Sequence, residues 1–415
     1  MTYLLIGSKL QLNEVVGING RTKLLLAVIC GVAVASVYAG QPVLGQMGLD
    51  LGVPVDTVGW FVAAGQLGYL VGLILLVPLG DLLDRRRLIV LHLVLVAAGL
   101  AIVAVAPAAW VAFVGLALAG VFAVVVQTAV AYATALSVPF ERGRNLGIVT
   151  SGVVIGILGG RILAGFLADI WGWRSIYVVL AVLAAALALL VLILLPADIR
   201  SGGARYGVLL RSFAGLFTHP VFLSRGLIAF FLFASFGALW SGMALPLTDS
   251  PWHLSETQIG LFGIAGLAGA LGAARAGRWA DSGYANRVTG FALIVLLASW
   301  FAIGQLTWSL VLLILGVILL DFAVQAVHVS NQHILTTVYA DRVSTTIGAY
   351  MVFYSLGSAL GAAATTALYA TAGWPGSAFL GAAFAAGGVV TWALSLRTAT
   401  RATRPDYLRE ATLSR

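Results

Sequence analysis

Residues 308–338 read WSLVLLILGVILLDFAVQAVHVSNQHILTTV. A helix crosses the hydrocarbon core of a bilayer with about 20 apolar residues, and this run is long enough while carrying a single acid, Asp321. Asp321 falls about 13 residues in, roughly 20 Å from the start of the run at 1.5 Å per residue, deep in the apolar layer. Gln325, His328 and Gln332 follow at offsets that point within about 60° of one another on a helix. Such a polar stripe cannot face lipid, where unsatisfied polar groups are costly. It must line the interior of a bundle or a wet cavity, and ionisable groups at that depth are functional by default.

Working outward, similar runs occur near 23–41, 58–80, 88–106, 109–136, 145–168 and 174–195, then near 224–248, 257–280, 286–306, 343–371 and 374–396. The chain of 415 residues is 61% hydrophobic and 9% charged, with a mean hydropathy of +1.04. A soluble domain carries about 25% charged residues, so this chain cannot dress a water-facing surface. The expected fold is an all-α membrane protein of 12 transmembrane helices. Residues 1–195 and 224–396 form six-helix bundles, 196–223 a cytoplasmic central loop and 397–415 a tail. Cys30, the one cysteine, lies inside the first run and reads as packing.

The positions of the charges test this count. If the N-terminus is cytoplasmic, 21 of the 23 basic residues fall in inside segments, as the positive-inside bias requires. The outside loops instead carry Asp50, Asp56, Asp169, Asp249 and Glu256. Both termini are then cytoplasmic. The net charge of +8 is a topology signal and not a nucleic-acid surface. Lys23, the first run and the small residues around Ser36–Ala39 resemble a cleavable signal peptide, but cleavage would break the symmetry described next.

Landmarks recur at a nearly constant offset. Gly80 and Asp84 match Gly277 and Asp281 at 197, and Val126-Gln127 matches Val324-Gln325 at 198. Glu141-Arg142 matches Asp341-Arg342 at 200, and Gly172-Trp173 matches Gly373-Trp374 at 201. Six spans per repeat is even, so the two halves are parallel.

With these motifs in place, the chain resembles the major facilitator superfamily over nearly its whole length. The loop Gly80-Asp81-Leu82-Leu83-Asp84-Arg85-Arg86-Arg87 is similar to the family's signature between helices two and three, shortened by its second glycine and a neighbour. The second half keeps Gly277 and Asp281 without the basic residue after the aspartate. The resemblance implies a gating set of Gly80, Asp84, Arg85, Gly277 and Asp281. It implies that Asp84 holds the cytoplasmic side closed through helix-end and arginine contacts; the plain alternative is a topology signal. Helix five carries Gly152, Gly156, Gly159, Gly160 and Gly165, similar to the glycine-rich motif of the drug:proton antiporters. Its proline is absent, and Arg161 follows the glycine pair instead. The nearest likeness is to the twelve-span bacterial drug and metabolite efflux proteins, which implies an inner-membrane monomer moving a small molecule and protons.

The resemblance places helices one, four, seven and ten around the substrate cavity. Asp321 is then the candidate proton-coupling acid with His328 tuning or relaying, against the alternative of a structural polar network. Cavity candidates are Tyr38, Gln41, Gln127, Arg161, Trp240, Gln325 and Gln332, with Thr134 sharing the face of Gln127. Arg161 can snorkel and satisfy backbone carbonyls, hold an anion, or pair with Asp321, which lies roughly 8 Å deeper by helix length. Phe233, Phe236, Trp240 and Met243 form an aromatic and thioether stripe suited to flat amphipathic substrates, or to packing and lipid contact. His328 and His333 are five apart and point in different directions, so no metal is expected, and nothing calls for a cofactor. Nor is there a Walker loop, zinc signature or nucleophile elbow, which argues against ATP driving and against an integral-membrane enzyme. The expected function is proton-coupled export of a hydrophobic or amphipathic molecule. A sugar or organic-anion carrier is the alternative, and a channel is disfavoured by the repeat.

Overall fold

The computed structural model describes residues 18–138, 140–197, 206–273 and 278–402. Among the described residues there are helices and no strands. Span one is Gly20–Tyr38, prolonged past a 3-10 turn at Gln41–Val43 by the helix Leu44–Leu51. Span two is Trp60–Leu75 with a 3-10 tail, Val77–Asp81, and span three is Arg85–Ala104. Span four pauses for a turn between Ala109–Phe122 and Val125–Leu136. Spans five and six are Arg142–Trp171 and Arg174–Leu194. A short helix, Tyr206–Leu216, lies in the stretch read as loop. Spans seven to ten are Pro220–Gly242 (continued by Ala244–Thr248), Glu256–Gly272, Ala285–Ile303 and Leu310–Val338.

Among the described residues, ten helices are long and apolar enough to cross a bilayer. One of them, Val343–Leu396, has 54 residues and would be roughly 80 Å long if straight, far more than one crossing. It bends at Gly373 (φ 61°, ψ −162°), which divides it into spans eleven and twelve. With Glu256–Gly272 counted as span eight, the total is twelve. Many large apolar side chains remain exposed along the spans, among them Leu183, Leu190 and Ile193 on span six and Phe291 and Ile294 on span nine. An apolar flank without protein cover is what contact with acyl chains requires.

The repeat is visible in the packing. A methyl group on Gly156 or Gly160 of span five would collide with Gly31 or Ala35 of span one. Their repeat mates on span eleven, Gly357 and Gly361, press in the same way against Phe230 and Ala234 of span seven. Small residues let the backbones approach closely, and dispersion across that contact holds membrane helices together. The halves meet along spans five and eight, where Gly165 sits on the Glu256 backbone, and along spans two and eleven, where Gly59 sits on that of Ala362. These two seams are related by the same symmetry.

Candidate functional site

Because successive spans reverse direction, Arg85, Arg142, Arg225, Arg287 and Arg342 collect at one end of the bundle. Asp50, Asp56, Asp169, Asp249 and Glu256 collect at the other. Between the halves lies a cavity of about 400 Å³, walled by spans one, two, four and five of the first half and seven, eight, ten and eleven of the second. Its lining runs from Thr150, Gln332 and Ile347, near the arginine-rich ends of their spans, to Tyr38, Gln66, Leu158 and Asp321 in mid-span. Beyond that layer, towards the acidic end, the halves are in contact.

Asp321, Gln325, His328 and Gln332 all line the cavity, so the stripe on span ten faces inward as its spacing requires. Asp321 is 4% exposed, and its Oδ2 has no hydrogen-bond partner. A carboxylate placed so pays a large desolvation cost when ionised, unless a cation acts on it. His328 is held on both ring nitrogens. The Gln332 amide nitrogen lies 3.0 Å from Nε2 and the Tyr350 hydroxyl 3.1 Å from Nδ1. With an amide donor facing Nε2, the ring proton sits on Nδ1 and is given to Tyr350. Phe233 packs edge-on against the ring at 5.3 Å. His328 is two helical turns, ~10 Å, from Asp321, and no direct hydrogen bond joins them.

Arg161, Gln41 and Trp240, expected in the cavity wall, sit one layer behind it. The Arg161 side chain is 1% exposed, and its guanidinium lies 3.8 Å over the Trp240 ring, with Phe236 at 5.4 Å and Tyr38 at 5.6 Å. Its Nε donates to Gln41 Oε1 at 2.9 Å, while Nη1 and Nη2 have no hydrogen-bond partner. The aromatic cover keeps the cation out of the open volume and contributes about 2 kcal/mol per desolvated ring contact. Arg161 and Asp321 form no direct ion pair, yet each lies in the other's field. They also lie at nearly the same depth, correcting the expected 8 Å offset. Span five continues to Trp171 and span ten starts at Leu310, so each residue is ~15 Å from its span's acidic-end terminus.

Tyr38 lines the cavity and its hydroxyl is hydrogen-bonded to that of Tyr354 across the halves. Gln127 also lines it and donates to Tyr69 Oη at 3.2 Å. Thr134 is spent on its own helix, donating to the Val130 carbonyl at 2.8 Å. Phe233, Phe236, Trp240 and Met243 are all buried, so this stripe faces protein and cavity and not lipid. In the loop after span two, Gly80 is buried in the 3-10 turn, and the Asp84 carboxylate caps span three by accepting the Arg87 N–H at 3.0 Å. Arg85 pairs with Asp81 at 3.4 Å. Gly277 lies outside the described residues, and Asp281 falls in the turn Ala280–Tyr284. Sequence reasoning passed over Gln66, which is fully buried beside the cavity with both amide atoms unpartnered, and over Tyr354 and Tyr350.

Comparison with known proteins agrees with this architecture. The family model described as Major Facilitator Superfamily matches residues 24–248 and 226–413. The uncharacterized transporter YgaY of Escherichia coli O157:H7 is 38% identical over 369 residues, 89% of this chain and 94% of its own. Multidrug resistance protein Stp of Mycobacterium tuberculosis is 30% identical over 165 residues, 38% of this chain and 31% of its own. The crystal structure of a bacterial homologue of the human lysosomal transporter Spinster, inward-facing and occupied, superposes with a TM-score of 0.70 at 16% identity. That match covers 91% of this chain and 97% of the other. Two six-helix halves related by an internal repeat, a cavity between them and the family match over nearly all the chain lead to one conclusion: this protein belongs to the major facilitator superfamily of membrane transporters.

Proposed function

We propose that the protein is a secondary active transporter that exports a hydrophobic or amphipathic small molecule in exchange for protons, by alternating access. The observation that carries this reading is Asp321: a buried carboxylate with an unpartnered oxygen, in the wall of the cavity between the halves. A group so placed takes up a proton when the cavity is dry or its counter-charge recedes, and releases it when wetted or faced by the cation. The aliphatic and aromatic wall, with Val126, Val154, Phe233 and Phe236, suits an amphipathic molecule. The partial similarity to Stp supports efflux. The organic-anion alternative is less well supported, because the wall presents a carboxylate while Arg161 is stacked behind it.

In this reading the arginine-rich end and both termini face the cytoplasm of a bacterial inner membrane, and the structure is inward-facing. Residues 1–195 and 224–396 rock as units about the site, and Gly80, Asp84 and Arg85 act when the cytoplasmic side closes. The protein works as a monomer and needs no cofactor. The test uses inverted vesicles with a panel of dyes, antibiotics and metabolites, following substrate-induced proton movement. The native chain is expected to exchange protons for at least one compound, and the Asp321→Asn chain to lose that exchange at unchanged membrane yield. An Asp321→Asn protein that still drives proton-dependent export at the native rate would refute the assignment.

A further inference from the structure

One short chain of side chains joins the closed, acidic end of the bundle to the site. Gln41 sits in the 3-10 turn Gln41–Val43, where Pro42 interrupts span one, and is 1% exposed. Its amide oxygen accepts the Arg161 Nε–H at 2.9 Å, and its amide nitrogen donates to the Ser241 hydroxyl at 3.2 Å. Arg161 and Gln41 belong to the first half and Ser241, fully buried, to the second. Gln41 and Ser241 are 200 residues apart, the spacing of the repeat. They meet across the halves near the ends of spans one and seven, Gln41 in the turn that follows Tyr38 and Ser241 one residue before Gly242. A side-chain amide carries an acceptor and a donor on one rigid plane, so the two bonds orient each other.

The link ends at charges. Arg161, anchored through Nε, holds its guanidinium over Trp240 of the second half and within the field of Asp321, also of the second half. When the halves part at this end, Ser241 withdraws, the Gln41 amide is no longer oriented from both sides, and the anchor of Arg161 loosens. Linkage is reciprocal, so a change of charge at Asp321 must act back on closure through the same contacts. We propose that Gln41 is a positioning residue that transmits the withdrawal of Ser241 to Arg161, so that closure of the acidic end and the charge on Asp321 set one another. The role of Asp321 rests on the transport reading above; the link itself rests on the hydrogen bonds.

The test is a cycle of substitutions in the full chain, reconstituted in liposomes on a Cys30→Ser background. Spin labels go on Leu49→Cys and Trp308→Cys, which are exposed (88% and 67%) on opposite halves at the acidic end. Asp321→Asn is expected to change the ratio of long to short label distances at least about threefold, as for coupled sites. The same substitution is expected to leave the ratio unchanged in Gln41→Leu and in Ser241→Ala chains. Ser241→Ala removes one hydroxyl and leaves the Arg161–Gln41 bond intact. If Gln41 only supports Arg161, the threefold response survives Ser241→Ala and the proposal fails. It also fails if Asp321→Asn moves the ratio equally in all backgrounds, or in none. Failure of the proton-exchange reading shows separately, as normal proton-dependent export by Asp321→Asn while the label distances still obey the cycle.

Discussion

At Gly266, on span eight, three side chains of the site occupy the space that a side chain would need. A methyl group there would lie 3.0 Å from Asp321 Oδ2, 3.0 Å from Trp240 Cζ2 and 3.1 Å from Leu158 Cδ2. Gly266→Ala therefore displaces the carboxylate and the ring under Arg161 by a few tenths of an ångström. A misplacement of about 1 Å in a preorganised site costs about a hundredfold in rate; for this smaller shift we expect a fall of roughly threefold in transport at near-normal membrane yield. Gly159→Ala, whose added methyl meets only Ile155 at 3.9 Å, serves as the neutral control. Initial-rate uptake into inverted vesicles, normalised to protein amount, decides between them. The part of the site that was legible in the sequence was the part with a period. Asp321, Gln325, His328 and Gln332 share one helix face, and a face is readable from spacing alone. Gln66 is a lone polar residue on an apolar helix, and Tyr354 gains its meaning from Tyr38, 316 residues away. No spacing rule reaches either. Arg161 was visible as a charge, but its withdrawal from the cavity wall depends on Trp240, which comes from the other half.

At the scale of elements, two glycines mark where one span must stop and the next begin. Gly172 (φ 79°, ψ 165°) separates spans five and six, and Gly373 (φ 61°, ψ −162°) separates spans eleven and twelve. Both lie where residues with a Cβ are strained by about 1–3 kcal/mol. Each is followed by a buried tryptophan whose indole N–H is satisfied, Trp173 by Asp50 at 3.1 Å and Trp374 by the Ile303 carbonyl at 3.0 Å. Gly373→Ala should lower stability in detergent by about 1–3 kcal/mol, measured by thermal unfolding. Gly45→Ala, with open space around it and a better helix former in place, should not. The Gly-Trp pair was also one of the landmarks of the repeat, so the feature that made the halves recognisable in sequence is the one that turns the chain. Most spans were legible because about 20 apolar residues have one stable arrangement in lipid. The helix Tyr206–Leu216 was read as loop, since its 11 residues are too few to cross a bilayer. Its signal was a short amphipathic stripe, Leu209, Phe213 and Leu216, with Phe213 and Leu216 buried, and that is a signal of partner contact and not of membrane.

For the whole molecule, the two ends of the bundle are unequal. At the acidic end each seam carries polar bonds between the halves: Gly59 N–H donates to Thr366 Oγ1 at 3.2 Å along spans two and eleven. Along spans five and eight, the Asp169 carboxylate accepts the N–H groups of Glu256 and Thr257 at 3.1 and 3.0 Å. The second contact gains from the partial positive charge at a helix N-terminus, as the carboxylate of one half caps span eight of the other. Neither bond survives if the halves part there, so both weigh towards the closed form. An exposed or partly buried carboxylate at a helix start is worth about 1 kcal/mol, equivalent to a roughly fivefold change in an equilibrium constant. Asp169→Ala should therefore speed hydrogen exchange of the backbone amides of residues 256–261 by about fivefold in liposomes. It should leave span three, which Asp84 caps within its own half, unaltered. Equal acceleration in both places would mean general loosening. No acceleration would mean that the helix start is held by its own cap, Ser255, which accepts the Gln258 N–H, and that the seam closes on its glycine contacts alone.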